Sequence, residues 1–282
     1  MRALVLGGGG AKGAFQVGAL EHILGELEVQ YDIIAGTSVG AINGSYIAQY
    51  KAGEEKQAIQ GLVEVWSTIN DARIFKPNYP VLGKGLSMVY SAIALNSLYD
   101  SSPLIELINK SIDIESLKHS GKEITIGAVS MKTGEYRYWD QNSPDIVKAV
   151  EASSAYPIFF KPVVIEEENW ADGGLRNNIP AQQALKIGAS EIDIITTGPM
   201  DEHFAYKSNN VISSLVTVTN VLLDEIQDTN LLIGTLIAEE DNIPVRILAP
   251  DKALSDGLDF NQDLIKLNRK IGYETAQSIS WG

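Results

Sequence analysis

Arg2-Ala-Leu-Val-Leu6 is a short apolar run that ends in glycines. An unbroken run of this length predicts a strand buried on both faces of a parallel sheet. From Ala14 to about Leu27 the apolar period changes, and Val17, Leu20, Ile23, Leu24 and Leu27 fall on one helical face. The succession of apolar run, small-residue turn and helical spacing then returns. Tyr31-Asp-Ile-Ile-Ala35 reads as a strand, and Val39 to about Ala52 as a helix whose Gly40, Ala41, Gly44 and Ser45 permit close packing on a sheet. Glu54 to about Ile69 is a further helix, with Ile59, Leu62, Val63 and Trp66 at helical spacing. Pro77 and Pro80 break the pattern between Ala72 and Gly85, which is read as loop. Leu86 to Leu98 is apolar and admits two readings, a buried helix or a cap over an apolar pocket.

Ser101 or Ser102 starts a helix running to about Ser111, with Pro103 in its first turn. Ile124 to Ser130 is a strand, Lys132-Thr-Gly134 a turn, and Glu135 to Trp139 an antiparallel return with alternating aromatics. A helix is expected from Asp145 to about Ser154, a short strand over Pro162–Ile165, and a helix from Pro180 to about Gly188. Glu191 to Thr196 and Pro244 to Ala249 are strands, and Gln262 to about Ile279 is the last helix. Between them, Ser213 to about Glu240 is long and amphipathic, with Leu215, Val218, Leu222, Ile226, Ile233 and Ile237 on one face. No repeat, low-complexity tract or linker interrupts the chain, so residues 1–282 are read as one domain. Strands alternating with helices predict an α/β fold, a mainly parallel sheet with helices on both faces.

Composition narrows the function. The chain has 282 residues and a net charge of 22 − 36 = −14. Such acidity argues against nucleic-acid binding and against electrostatic adsorption to anionic lipid, though not against hydrophobic contact with a membrane. With no cysteine, thiolate nucleophiles and disulfides are excluded. No apolar run approaches the ~18 residues of a membrane-spanning helix, and the first residues do not form a signal peptide. These features lead to the expectation of a soluble, cytoplasmic protein. They do not set its oligomeric state.

Three stretches carry candidate chemistry. Gly36-Thr-Ser38-Val-Gly40, between a strand and a helix, fits the G-x-S-x-G nucleophile elbow. A serine on so sharp a turn points its hydroxyl outward, and Gly36 and Gly40 remove Cβ atoms that would clash. Gly8, Gly10 and Gly13 in the first glycine loop match G-x-G-x-x-G. That loop could cradle a dinucleotide pyrophosphate, or its N–H groups could form an oxyanion hole. The dinucleotide reading expects an acidic residue at the end of the second strand. Asp32 opens that strand instead, and Gly36-Thr37-Ser38 closes it. The third stretch is Asn169-Trp-Ala-Asp172-Gly173-Gly174, which standing alone reads as a turn.

With these three motifs in this order, the chain resembles the patatin-like phospholipases. Met131-Lys-Thr-Gly-Glu135, Ala152-Ser-Ser-Ala-Tyr-Pro157 and Asp172-Gly-Gly-Leu-Arg-Asn-Asn-Ile-Pro180 match in detail, and the resemblance runs from residue 3 to about 198. It implies a three-layer α/β/α fold with a mainly parallel central sheet. It also implies a Ser–Asp dyad without histidine, in which Ser38 is the nucleophile and Asp172 its base. The loop Gly8, Gly9, Gly10, Ala11, Lys12 and Gly13 would supply the oxyanion hole, with Gly36, Gly40, Gly173 and Gly174 as supporting motif positions. The implied substrates are acyl esters of phospholipids, lysophospholipids or glycerolipids, met by transient contact with a membrane surface. No cofactor or metal is expected. The same acyl-serine chemistry also serves an acyltransferase, which stands as the alternative.

The histidines bear on that dyad. A Ser–Asp–His triad in this chain order needs a histidine after the acid, and of His22, His119 and His203 only the last qualifies. Its surroundings, Asp201 to Lys207, read as an exposed loop, His119 as part of a charged loop, and His22 as part of a polar helix run. An aspartate base near its ordinary pKa would keep the enzyme active well below pH 6.5, so no limb is expected there.

Overall fold

The computed structural model describes residues 1–77, 97–200 and 211–281. Most of the expected apolar segment 86–98, and His203, lie outside them.

Eight strands, β1 Arg2–Leu6, β2 Ile33–Gly36, β5 Glu123–Ser130, β6 Tyr136–Asp140, β7 Val163–Ile165, β8 Glu168–Asp172, β9 Glu191–Ile195 and β10 Val245–Leu248, form one sheet. Their order is β10-β9-β1-β2-β5-β8-β7, with β6 also on β5. Two short strands, β3 Lys76–Pro77 and β4 Tyr99–Asp100, pair with each other elsewhere. From β10 to β5 the main sheet is parallel, whereas β6, β7 and β8 join it antiparallel. Strands β1 from Ala3 onward and β2 throughout are buried on both faces, as their apolar runs predict, whereas the edge strand β10 is half-buried up to Leu248.

Alternation within the strands divides the core in two. Leu4, Leu6 and Ile34 face one layer, and Ala3, Val5, Ile33 and Ala35 the other. The first layer contains α1 Gly13–Leu20, α2 Val39–Ala48, α3 Glu55–Thr68 and the last helix, Gln262–Gln277. Two glycines bring α1 and the last helix into backbone contact. A Cβ on Gly18 would stand 1.8 Å from the Arg269 carbonyl oxygen, and one on Gly272 1.9 Å from that of Phe15. The second layer contains the helices Ala181–Ile187 and Val211–Glu240. This is the expected three-layer α/β/α architecture.

The chain turns from outward growth, β1 to β2 to β5, to the other side at β9. Glycine loop and elbow follow β1 and β2, so both stand at the carboxyl ends of parallel strands beside this switch, where such sheets bind ligands.

Local departures from the expected elements have physical causes. The first helix widens into π-type turns over Glu21–Glu26, which rotates Leu27 out of the buried face and leaves it exposed. The region around His119 is a short helix, Ile114–His119, capped where the Asp113 carboxylate accepts from the Ser116 N–H at 2.6 Å. Asn169 to Asp172, in the stretch that standing alone reads as a turn, belong to strand β8, with Trp170, Ala171 and Asp172 buried.

Candidate active site

Ser38 lies between β2 and α2 with φ 55° and ψ −125°, a conformation that costs a non-glycine residue about 1–3 kcal/mol. The glycines two positions to either side permit the turn. A Cβ on Gly36 would stand 2.4 Å from the Gly40 carbonyl oxygen, and one on Gly40 2.2 Å from that of Leu6. The Ser38 hydroxyl donates to Asp172 Oδ2 at 2.8 Å. Asp172 ends β8, and its Oδ1 accepts from the Gly174 N–H at 2.8 Å. Asp172 is 4% exposed. Burial pushes its pKa up to about 7, against the hydrogen bonds from Ser38 and Gly174 that favour the ionised form. The expectation of an aspartate near its ordinary pKa is therefore corrected: desolvation outweighs the two donors, and the group titrates where a histidine would.

The glycine loop lies against this pair, because a Cβ on Gly8 would stand 3.0 Å from Ser38 Cβ. Four of its six N–H groups are already bonded within the protein. Gly8 donates to Asn178 Oδ1 at 3.0 Å, Ala11 to the Gly257 carbonyl at 2.7 Å, and Lys12 to that of Gly9 at 3.2 Å. Gly13 donates to the Gly10 and Ala11 carbonyls. The Gly9 and Gly10 N–H groups donate to no acceptor among the described residues. Gly9 (φ 154°) and Gly10 (φ 59°) both occupy backbone conformations that disfavour any side chain.

Buried amides fasten the loop from behind. Gln16 Nε2 donates to the Gly7 carbonyl at 2.7 Å, Asn43 Nδ2 to Gln16 Oε1 at 3.0 Å, and Trp66 Nε1 to Asn43 Oδ1 at 2.9 Å. Sequence reasoning passed over Gln16 and Asn43. Their signal was polarity at helix positions otherwise filled by apolar or small residues.

Ser38 and Asp172 border a cavity of about 830 Å³. Aliphatic and aromatic side chains from α2, α3 and residues 102–111 and 158–160 line it, among them Ile42, Trp66, Leu104, Ile108 and Phe160. Its polar lining includes Lys12, Asn220, Asp224, Ser255 and Asp256. Burial lowers the Lys12 pKa, while Asp224 and Asp256 oppose that shift. His22 bonds Glu26 at 2.8 Å along its own helix, and His119 bonds the Glu115 carbonyl; neither lines the cavity. Among the described residues, no three metal-ligating side chains converge.

The family model for Patatin-like phospholipase matches residues 4–185. Patatin-like phospholipase domain-containing protein 7 of Mus musculus is 32% identical over 209 residues, covering 71% of this chain and 14% of that protein. The chain thus spans only about one seventh of that relative's length. The cGAMP-activated phospholipase of Vibrio cholerae is 24% identical over 315 residues, covering 99% of this chain and 84% of the relative. VipD from Legionella pneumophila shares the fold, with a TM-score of 0.51 at 14% identity over 98% of this chain and 66% of that one. On the match over residues 4–185, the chain belongs to the patatin-like phospholipase family.

Proposed function

We propose that the protein is a serine-dependent carboxylic ester hydrolase acting on lipid acyl esters, of phospholipase or lysophospholipase type. The observation that carries the reading is the 2.8 Å hydrogen bond from Ser38 Oγ to Asp172 Oδ2 at an apolar cavity. The family supports the lipid class, as do the phospholipase names of its relatives.

The steps follow from the geometry. As Ser38 Oγ attacks the ester carbonyl carbon, its proton passes to Asp172 Oδ2. A base titrating near 7 is matched to that task at neutral pH. The carbonyl oxygen becomes an oxyanion and accepts from the Gly9 and Gly10 N–H groups, the two in the loop that donate to no acceptor among the described residues. Collapse breaks the bond to the alcohol oxygen, which leaves with the proton from Asp172. Water then attacks the acyl-serine, giving its proton to Asp172. The second tetrahedral intermediate releases the fatty acid, and the proton returns to Ser38 Oγ. Aliphatic side chains hold the acyl chain. The apolar outer face of the helix Val211–Glu240 meets the lipid surface from which substrate enters.

Fatty-acid release from a lysophospholipid and labelling by a fluorophosphonate test the proposal. Wild type is expected to turn over and to be labelled on Ser38. Ser38→Ala and Asp172→Asn are each expected to lose on the order of 10³-fold or more in kcat, since members of one catalytic unit are not additive. Turnover or labelling that survives Ser38→Ala would reject the assignment.

A further inference from the structure

Three consecutive residues touch the backbones of both Ser38 and Asp172. The Ser38 N–H donates to Ser153 Oγ at 2.9 Å. The Ser154 hydroxyl donates to the Ser38 carbonyl at 3.2 Å. The Asp172 N–H donates to the Ala155 carbonyl at 3.1 Å. The three follow one another at the end of the helix Ile146–Ser153. Backbone bonds stiffen the segment: the Ser154 N–H reaches the Val150 and Glu151 carbonyls, the Ala155 N–H that of Ala152, and the Tyr156 N–H that of Ser154.

We infer that Ser153-Ser154-Ala155 is an alignment clamp for the reaction proposed above, in which Ser153 and Ser154 are positioning residues that set nucleophile against base. The inference rests on the Ser38–Asp172 reading. Ser38 occupies a backbone conformation that persists only where its surroundings over-determine it. The two hydroxyls grip it from both sides, one through its N–H and one through its C=O. Ala155 fixes the strand end that carries the base. Ordinary helix capping does not account for the hydroxyls, because backbone N–H groups already satisfy the helix's last carbonyls. Ser153 is fully buried, so deleting its hydroxyl strands the Ser38 N–H without water to replace it. Neither serine bonds Ser38 Oγ, so each acts through the Ser38 backbone.

The test uses the full chain and a soluble p-nitrophenyl ester, with Ser153→Ala, Ser154→Ala, Ser154→Thr and the control Ser38→Ala. Each alanine variant is expected to lose about 10- to 100-fold in kcat, as about 1 Å of misplacement does, with KM within about twofold. The acidic limb of the rate profile should move to higher pH, because the Ser38 hydrogen bond helps keep Asp172 ionised. The other titratable groups beside that carboxylate, Tyr136 and Tyr156, are phenols whose pKa burial raises further, so they remain neutral throughout. Ser154→Thr keeps the hydroxyl and should restore the rate. Unchanged kcat in both alanine variants, with Ser38→Ala inactive, overturns the clamp. So does a loss in which the limb stays in place and Ser154→Thr fails to rescue. If Ser153→Ala shows no cooperative melt, the Ser154 pair decides, since Ser154 lines the cavity. An active Ser38→Ala instead removes the reading beneath the clamp, which separates that failure from the clamp's own.

Discussion

Gly36 and Asp172 end two strands that run toward each other along one edge of β5. Gly36 is opposite Ile126 in the parallel pair and Asp172 opposite Ala128 in the antiparallel pair, leaving only Gly127 between them. Strand β6 occupies the other edge of β5 over residues 125–129, so β2 and β8 share this one. Register thus brings a residue two past the end of β2 within 2.8 Å of the last residue of β8. The approach needs small residues, since a Cβ on Gly173 would stand 2.3 Å from the Gly127 carbonyl oxygen. Gly173→Ala should push the strand ends apart and lower kcat on the order of 10²-fold. Steady-state kinetics alongside a thermal melt check this, and wild-type turnover would show that the spacing is slack.

The pH dependence follows from Asp172. In the proposed role of base it must be ionised, so activity should fall below a pKa of about 7. A histidine would give a limb in the same range, so its position alone does not name the base. His22→Ala, His119→Ala and His203→Ala should each retain it. A limb that vanishes in His203→Ala would reassign the base, and undiminished activity at pH 5 would show that burial does not raise this carboxyl.

The same burial weakens the fold at neutral pH. In the folded protein Asp172 titrates near 7 instead of 3.8, so the native state holds the proton more tightly than the unfolded chain. The resulting stability is present in full below pH ~3.8, shrinks as pH rises and is gone above about 7. A rise of that size corresponds to about 4 kcal/mol at most. Asp172→Asn escapes the penalty, and its amide can still meet Gly174 and Ser38. Its Tm should exceed wild type by several degrees at pH 8, at about 2–4 °C per kcal/mol, and by less at pH 5.5. Calorimetry at the two pH values measures this, and an equal or lower Tm at pH 8 contradicts it.

How much of this was legible in the sequence depends on range. Apolar runs and helical spacing gave the elements of both layers, because those patterns are local. Strand β8 was hidden: its hairpin with β7 turns through Glu166 and Glu167 at φ 51° and 63°, where Asn-Gly would have signalled the turn. Asp172 therefore looked like part of a turn, and although its stretch stood out in the sequence, only the resemblance gave it a role as base. Its raised pKa was illegible because burial comes from packing across the sheet. The division of labour in the glycine loop depends on Asn178 and Gly257, both remote in the chain, so spacing could not separate Gly9 and Gly10 from their neighbours.

The cavity wall should measure chain length. Leu107 is half-buried and lines the cavity one turn from Leu104. Leu107→Trp fills part of that space. It should lower kcat/KM for long-chain esters on the order of tenfold relative to short-chain ones, the scale of a misfit in an apolar pocket. A series of p-nitrophenyl esters of increasing length checks this, and equal losses at all lengths would place the acyl chain elsewhere.

The last prediction concerns the helix Val211–Glu240, which over its first half carries apolar side chains on its outer face as well as toward the cavity, where Val216 and Leu223 stand. Thr217, Asn220 and Asp224 line the cavity, while Leu215, Val218 and Leu222 face outward, each more than half exposed. In water that arrangement is costly, since each of these side chains is worth about 1.5–3 kcal/mol when buried. A lipid surface would cover them, beside the cavity proposed to receive an acyl chain. Combining Leu215→Ser, Val218→Ser and Leu222→Ser should reduce hydrolysis of phosphatidylcholine vesicles by about tenfold or more. Turnover of a soluble short-chain ester should stay within about twofold, since none of the three lines the cavity. The net charge of −14 sets a second expectation: vesicles rich in anionic lipid should bind less well, more so at low salt. Vesicle flotation separates binding from chemistry. Equal losses on vesicles and soluble ester would mean that the substitutions damage the cavity wall. Unchanged flotation would leave this face to some other contact.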